Sequence, residues 1–261
     1  MNTSLFLCSF YLAGGVGILF FGFVILRENP RNPVHRATAL MLFSGALGSI
    51  LGALAQVLEL RGAAAAGATY AGYLRNFAYL WEFFFPSLLY FALVYPVRHP
   101  IMRRRQAAEV VLYVPHLFHL GLVLLLGEAA RLTGPFDLLL ERMGPSGLAD
   151  LLATVLGLID VLVSLVNKVH QQLFSLVNLT YSGVALALLA RSRRRVAVPR
   201  LRGQLTVVFG GLAACVGGYL TALLLPLVRP YRDNATIGVF LISVSLIVAS
   251  MAIAVSIKLG M

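Results

Sequence analysis

The chain has 261 residues, of which 59% are hydrophobic and only 12% are charged, and its mean hydropathy is +0.87. A soluble domain of this length normally carries about a quarter charged residues, so the composition excludes a soluble globular fold. The net charge of +11 would suggest nucleic-acid binding in a soluble chain. In a membrane protein, basic residues instead gather in cytoplasmic loops and set the orientation, so we expect a multi-pass membrane protein that binds no nucleic acid.

Apolar runs long enough to cross the hydrocarbon core, which takes about 20 residues, recur along the whole chain. They predict transmembrane helices near 4–26, 37–58, 73–96, 107–127, 168–190, 204–228 and 235–257. The first run precedes the first basic residue, Arg27, whereas a cleaved signal peptide carries its charge before the apolar run. We therefore expect one all-α transmembrane domain over residues 1–261, a helical bundle whose first segment remains as a helix.

Basic residues concentrate in every second connection. They are Arg27, Arg31 and Arg36 in the first loop, Arg98, Arg103, Arg104 and Arg105 in the third, Arg191, Arg193, Arg194, Arg195, Arg200 and Arg202 in the fifth, and Lys258 after the last helix. Loops rich in Lys and Arg stay in the cytoplasm. The alternation predicts seven crossings, with the N-terminus outside and the C-terminus inside.

Segment 148–167 is apolar enough for an eighth span, but an eighth crossing would place the arginines of the fifth loop outside. Its polar residues form a narrow stripe at helical spacing: Asp150, Thr154, Asp160, Ser164 and Lys168. This pattern predicts an interfacial amphipathic helix on the outer surface, which can continue into the fifth span. Gly134-Pro135 and Gly144-Pro145 are expected to break the chain before it.

Two further features concern helix packing. Pro86 and Pro115 lie inside the third and fourth predicted helices and are expected to kink them.

Small residues recur at spacing four at Ser44, Gly48 and Gly52 and at Gly210, Ala214 and Gly218. Such stripes let helices approach closely in lipid, mainly within one chain, and they also permit a homodimer.

Ionisable side chains at membrane depth are costly and mark a functional site by default. The 1.5 Å rise of a helix places Glu82 at a depth similar to that of His116 and His119, with His170 shallower. The candidate ligand-binding residues are Glu82, His116, His119, Lys168, His170 and Trp81, with Tyr79 as a further possible wall. Two interpretations stay open: a pocket that senses a ligand or a proton, and a structural ion pair in which Glu82 holds three helices together.

Enzymatic signatures are missing from the sequence. It contains no GxSxG, HExxH, P-loop or paired-carboxylate arrangement, so we expect no catalytic activity. Cys8 and Cys215 are too few for a disulfide framework or a metal motif, and we expect no metal site and no cofactor. Haem needs histidines that face each other across helices, and a pairing of His116 or His119 with His170 stays a minor alternative.

Four stretches carry a family resemblance. RENPRNPVHR follows the first helix, LLYFALVYP ends the third, VVLYVPHLFHL begins the fourth, and LARSRRRVAVPRLRGQLTVVFGGLAA leads into the sixth. Together they resemble the N-terminal seven-helix sensor region of bacterial histidine kinases. Related regions precede serine phosphatases and diguanylate cyclases.

The resemblance implies a sensor or input region of the inner membrane that relays an outer-leaflet or periplasmic stimulus to a cytoplasmic effector, as in two-component signal transduction. Proteins with such a sensor region continue into a cytoplasmic effector domain at the position where the present sequence ends, in VSIKLGM. Any catalytic domain is therefore expected beyond Met261 or on an associated protein. The expected partners are membrane lipids, an unidentified small ligand and that effector. Two alternatives stay open: a non-catalytic subunit of a membrane redox complex that binds lipid, quinone or haem, and a small transporter.

Overall fold

A computed structural model describes residues 3–60, 65–104, 107–143 and 147–224, together with 244, 247–249, 251–253, 255 and 256. Over these residues the chain is built from helices. They are α1 (Thr3–Glu28), α2 (Pro33–Leu60), α3 (Ala65–Ala78), α4 (Phe84–Val94), α5 (Pro100–Arg104), α6 (Ala108–Met143), α7 (Gly147–Arg195) and α8 (Pro199–Leu224). A 310 segment, Tyr79–Phe83, joins α3 to α4. The predicted all-α fold is confirmed.

Seven helical segments within the described ranges are long and apolar enough to cross a membrane. They are Cys8–Glu28, Pro33–Glu59, Tyr70–Val94, Ala108–Leu126, Gly147–Val166, Gln172–Arg195 and Pro199–Leu224. Their number matches the prediction, but one member differs. Segment 147–166 qualifies by length and composition, whereas most of the predicted last helix, 235–257, lies outside the described residues.

Helix α7 is a single helix of 49 residues. At 1.5 Å per residue it extends about 73 Å, more than twice the roughly 30 Å of the hydrocarbon core. Segment 148–167 is therefore continuous with the fifth predicted span. A straight helix cannot both cross the bilayer and lie along its surface, so an in-plane position for 148–167 requires a bend in α7 and stays a prediction.

Helix α6 is 36 residues long and does not end where the sequence pattern predicts. The expected break at Gly134-Pro135 is wrong, because α6 continues through both residues to Met143. A proline inside a helix removes one hydrogen bond and bends the axis, and here that loss does not end the helix. The second expected break, Gly144-Pro145, lies outside the described residues.

The third predicted helix is interrupted one turn before Pro86. A proline has no N–H to donate to the carbonyl four residues earlier, which here belongs to Glu82. The preceding turn tightens into the 310 segment, and the N–H of Phe84 donates to the carbonyl of Trp81. This break places Glu82 where the helix changes geometry.

The interior of the bundle lies between α2, α4, α7 and α8. Met41, Leu88, Phe91, Leu189 and Leu205 are buried there. The free thiols of Cys8 and Cys215 are also buried, as expected for small core residues.

The RENPRNPVHR stretch forms a tight connection between α1 and α2. The side chain of Asn32 accepts a hydrogen bond from the backbone N–H of Val34 at 2.9 Å, which caps the start of α2. Nδ1 of His35 donates to the carbonyl of Ile25 at 3.0 Å. These local contacts explain why this sequence turns the chain so sharply.

Helix α2 contacts the 310 segment at Gly48. A Cβ atom at position 48 would overlap the Cβ atom of Trp81 and lie 2.9 Å from the carbonyl oxygen of Ala78. Position 52, one turn further along the same predicted stripe, has open space around it. Only the first of these two glycines is therefore needed for close packing.

We expect Gly48→Ala to destabilise the fold by about 1–3 kcal/mol, because backbone and Cβ atoms would have to move apart. Gly52→Ala is the matched control, and we expect it to be neutral or stabilising by about 0.5–1 kcal/mol, since alanine favours a helix. Thermal unfolding in detergent measures both changes. Equal midpoints for the two variants would contradict the close approach at Gly48.

The predicted orientation can be tested with single cysteines in a Cys8→Ser, Cys215→Ser background. Ala153 on α7 and Ala197 between α7 and α8 are both exposed. With the arginine-rich loop inside, a membrane-impermeant maleimide should label Ala153→Cys in intact cells and Ala197→Cys only after permeabilisation. The reverse labelling pattern would invert the topology.

Candidate functional site

A buried carboxylate lies where the 310 segment meets α6. The Glu82 side chain is 8% exposed and that of His119, on α6, is 1% exposed. Oε2 of Glu82 and Nδ1 of His119 are 2.5 Å apart, within hydrogen-bond distance. Glu82 and His119, which the sequence placed at similar depth, are thus in direct contact.

Helix α7 contributes the next member through Asn178, whose side chain is fully buried. Its Nδ2 donates to Oε1 of Glu82 at 3.5 Å, and its Oδ1 lies 2.9 Å from Nε2 of His116. We call Glu82, His116, His119 and Asn178 the Glu82 network. It joins the 310 segment, α6 and α7.

The acceptors in this network fix the hydrogen positions. An ionised carboxylate only accepts, so the Asn178 amide must turn its Nδ2 towards Glu82. Its Oδ1 then accepts from His116, which places a hydrogen on His116 Nε2. By the same argument His119 donates from Nδ1 to Glu82, so the carboxylate accepts one hydrogen bond from α6 and one from α7.

His170 adjoins the network from α7 without a hydrogen bond to it. Its ring and the ring of His119 are 5.1 Å apart between centroids and inclined at 61°. Nδ1 of His170 lies 2.9 Å from the carbonyl oxygen of Val166, and a carbonyl oxygen can only accept. His170 is therefore held by its own helix while its ring touches His119.

Aromatic rings enclose the imidazoles. Phe174 stacks on His119 with a centroid separation of 3.7 Å and an interplanar angle of 4°. Tyr79 meets His119 edge-on at 5.8 Å, and Tyr181 meets His116 edge-on at 5.0 Å. These rings shield the polar groups from lipid, and a low local dielectric strengthens the hydrogen bonds inside.

The structure thus brings together four of the six candidate residues: Glu82, His116, His119 and His170. Trp81 contacts Phe85 and Tyr219 with ring centroids 5.5 and 5.9 Å apart and lies beside the network. The side chain of Lys168 lies outside the described residues. A ligand-binding role for any of them stays a prediction.

The sequence pattern did not single out Asn178 or Phe174. His170, Phe174 and Asn178 are spaced four residues apart along α7, so they share one helix face. An asparagine inside an apolar helix, at helical spacing from a histidine, is the signal that could have identified this face.

The histidines do not fit a haem between α6 and α7. The rings of His119 and His170 contact each other directly, so no porphyrin plane lies between them, and Nε2 of His116 is engaged by Asn178. In the part of the chain that the structure describes, no group of three or more His, Cys, Asp or Glu side chains is arranged to hold a metal ion.

A second polar cluster lies at the other end of α4 and α6, where the sequence analysis proposed no site. The Tyr90 hydroxyl donates to Oε1 of Glu109 at 2.8 Å, and Arg98 lies 3.5 Å from the same oxygen. The hydroxyls of Ser87 and Tyr113 are 3.0 Å apart. The two clusters tie α4 to α6 at both ends.

A double-mutant cycle should show strong coupling between Glu82 and His119. We expect a coupling free energy of about 1–3 kcal/mol for Glu82→Gln and His119→Gln, since the pair is buried and its hydrogen bond is short. The control is the ion pair between Glu59 and Arg75, whose side chains are 42% and 64% exposed; its coupling should be about 0–1 kcal/mol. Unfolding in mixed detergent micelles measures both cycles, and similar couplings would refute a special role for burial.

Comparison with known proteins gives no relative from which a role could be transferred. No family model matches the chain, no curated protein matches it, and no solved structure matches it.

Proposed function

We propose that the chain is the membrane-embedded input region of a bacterial signal-transduction protein, in which the Glu82 network receives a stimulus from the outer leaflet or the periplasm. The observation that carries the proposal is the buried carboxylate shared by three helical elements. A charged group inside a bundle is expensive and is retained where it has a role. The family resemblance of the sequence points to the same class, the sensor regions of histidine kinases of the inner membrane.

The position of Glu82 supports a switching role. A 310 stretch in the middle of a helix often marks a hinge, and Glu82 lies inside such a stretch. Its partners, His119 and Asn178, are on helices that continue beyond the network in both directions. A change at the carboxylate would therefore act on the 310 segment, α6 and α7 together.

Contacts on the other side of the 310 segment lead towards α8 and the last described residues. The Tyr219 ring lies 5.2 Å from the Phe85 ring and 5.9 Å from the Trp81 ring. A Cβ atom at Gly211 would overlap the Cβ atom of Ala252. Tyr219 therefore joins the site to α8, and Gly211 joins α8 to the last helical residues.

The end of this chain of contacts is the hydroxyl of Ser256, which donates to the carbonyl of Gln204 at 3.1 Å. In the proposed orientation these two residues lie near the cytoplasmic face, where a fused or associated effector would sense the packing of the last helix. A stimulus can shift an equilibrium between two conformations of the bundle only by its difference in affinity for those two conformations. The Glu82 network supplies the group on which that difference can act.

The test is a fusion of the complete chain, in frame after Met261, to the catalytic half of a histidine kinase. Glu82→Gln removes the charge with little change in shape. A shift of about 1 kcal/mol between the two states would change autophosphorylation roughly fivefold, and we expect a change of that order in membranes. Glu59→Gln, an exposed carboxylate at the end of α2, is the matched control and should leave autophosphorylation unchanged.

Unchanged autophosphorylation in a folded Glu82→Gln protein would contradict the sensor proposal. Proteoliposomes separate it from the transporter alternative. A proton or solute flux that depends on Glu82 would replace sensing with transport, whereas a sensor should give no flux above that of empty vesicles.

A further inference from the structure

Three buried imidazole nitrogens in and beside the Glu82 network have no hydrogen-bond partner: Nδ1 of His116, Nε2 of His119 and Nε2 of His170. The last two belong to rings that are in contact with each other. His170 donates from Nδ1 to the Val166 carbonyl, so in the neutral ring the lone pair lies on Nε2. His119 donates from Nδ1 to Glu82, so its neutral ring likewise has a lone pair on Nε2.

This pattern is the one found around metal-binding histidines. A histidine that binds a metal usually donates its other ring N–H to a carboxylate or a backbone carbonyl, which orients the ring and makes the ligating nitrogen more basic. Glu82 does this for His119, and Val166 does it for His170. The two rings are in contact, with centroids 5.1 Å apart, and Nε2 is the unpartnered nitrogen of each.

The local charge and the number of donors limit the occupant. The groups around the proposed site are two imidazoles and one carboxylate, a set that a monovalent cation would balance in a low dielectric. Among the described residues there is no third His, Cys, Asp or Glu donor in metal-binding geometry. Imidazole suits copper, and the monovalent d10 ion Cu(I) is satisfied by two nitrogen ligands.

We propose that His119 and His170 form a two-imidazole site for Cu(I), with Glu82 as the carboxylate that orients His119 and balances the charge. The ion would be the stimulus of the sensor, and in that respect the inference rests on the proposed function. Binding brings Nε2 of His170, on α7, and Nε2 of His119, on α6, to the same ion. It therefore changes the contact between these helices next to the 310 segment.

The experiment uses Ag(I), a redox-stable monovalent d10 ion, as the probe. The whole chain, purified in detergent, is dialysed against buffered Ag(I) and its metal content is measured. We expect one ion per chain. The affinity for Ag(I) should fall about 10–100-fold in Glu82→Gln, which removes the orienting carboxylate. It should fall further in His170→Gln, which removes a ligand. His35→Gln is the matched control, because His35 also donates from Nδ1 to a backbone carbonyl but lies at the start of α2.

Two further measurements identify the ligands. Ag(I) should still bind a Cys8→Ser, Cys215→Ser chain, and in the ¹⁵N spectrum it should shift Nε2 of two of the five histidines. This second readout needs no substitution in the network and holds even if His170→Gln fails to fold. Absence of saturable binding, binding lost with the cysteines, or equal affinity in His170→Gln and the unsubstituted chain would overturn the site.

The outcomes separate this inference from the proposed function. If Ag(I) binds as expected and the fused kinase ignores Glu82→Gln, the metal site stands and the sensor fails. If the kinase responds to Glu82→Gln and no ion binds, the sensor stands and the metal site is overturned.

Discussion

A carboxylate inside a membrane bundle needs hydrogen-bond donors, and the arrangement around Glu82 meets this requirement. Water is absent from the hydrocarbon core, so an unpaired carboxylate there would be far more costly than on a protein surface. His119 and Asn178 supply the donors from two different helices. The Glu82 side chain thus links the 310 segment to both α6 and α7, and the surrounding aromatic rings complete its isolation.

Local backbone geometry places that carboxylate. Pro86 cannot donate to the Glu82 carbonyl, the turn before it tightens, and Gly48 lets α2 approach the Trp81 backbone from the other side. A larger residue at position 48 would separate α2 from the segment that carries Glu82. Stability and site geometry are therefore coupled: the packing that holds the 310 segment also sets the direction of its acidic side chain.

Much of this was accessible from the sequence. Apolar runs predicted the helices, and helix rise alone placed Glu82 level with His119, since both depend on local periodicity. The length of α6 was not accessible, because Gly134 and Pro135 resemble a chain break locally and the helix nevertheless continues. Asn178 was missed for a different reason: the search for ionisable side chains at membrane depth passes over a neutral amide, although its spacing of eight residues from His170 places both on one helix face. The tautomers of His116 and His170 follow only from which atom faces which acceptor, information that residue spacing does not contain.

The length of α7 has a mechanical consequence. Its roughly 73 Å exceed the membrane thickness, and if the half beginning at Gln172 crosses the bilayer, about 37 Å of helix extend beyond that crossing. A straight α7 that tilts would pivot at its packed region around Asn178. A tilt of about 10° at Asn178 would move the far end of the helix by roughly 8 Å, given the same rise per residue. A small tilt of α7 at Asn178 would therefore produce a large displacement of the helix end at Gly147.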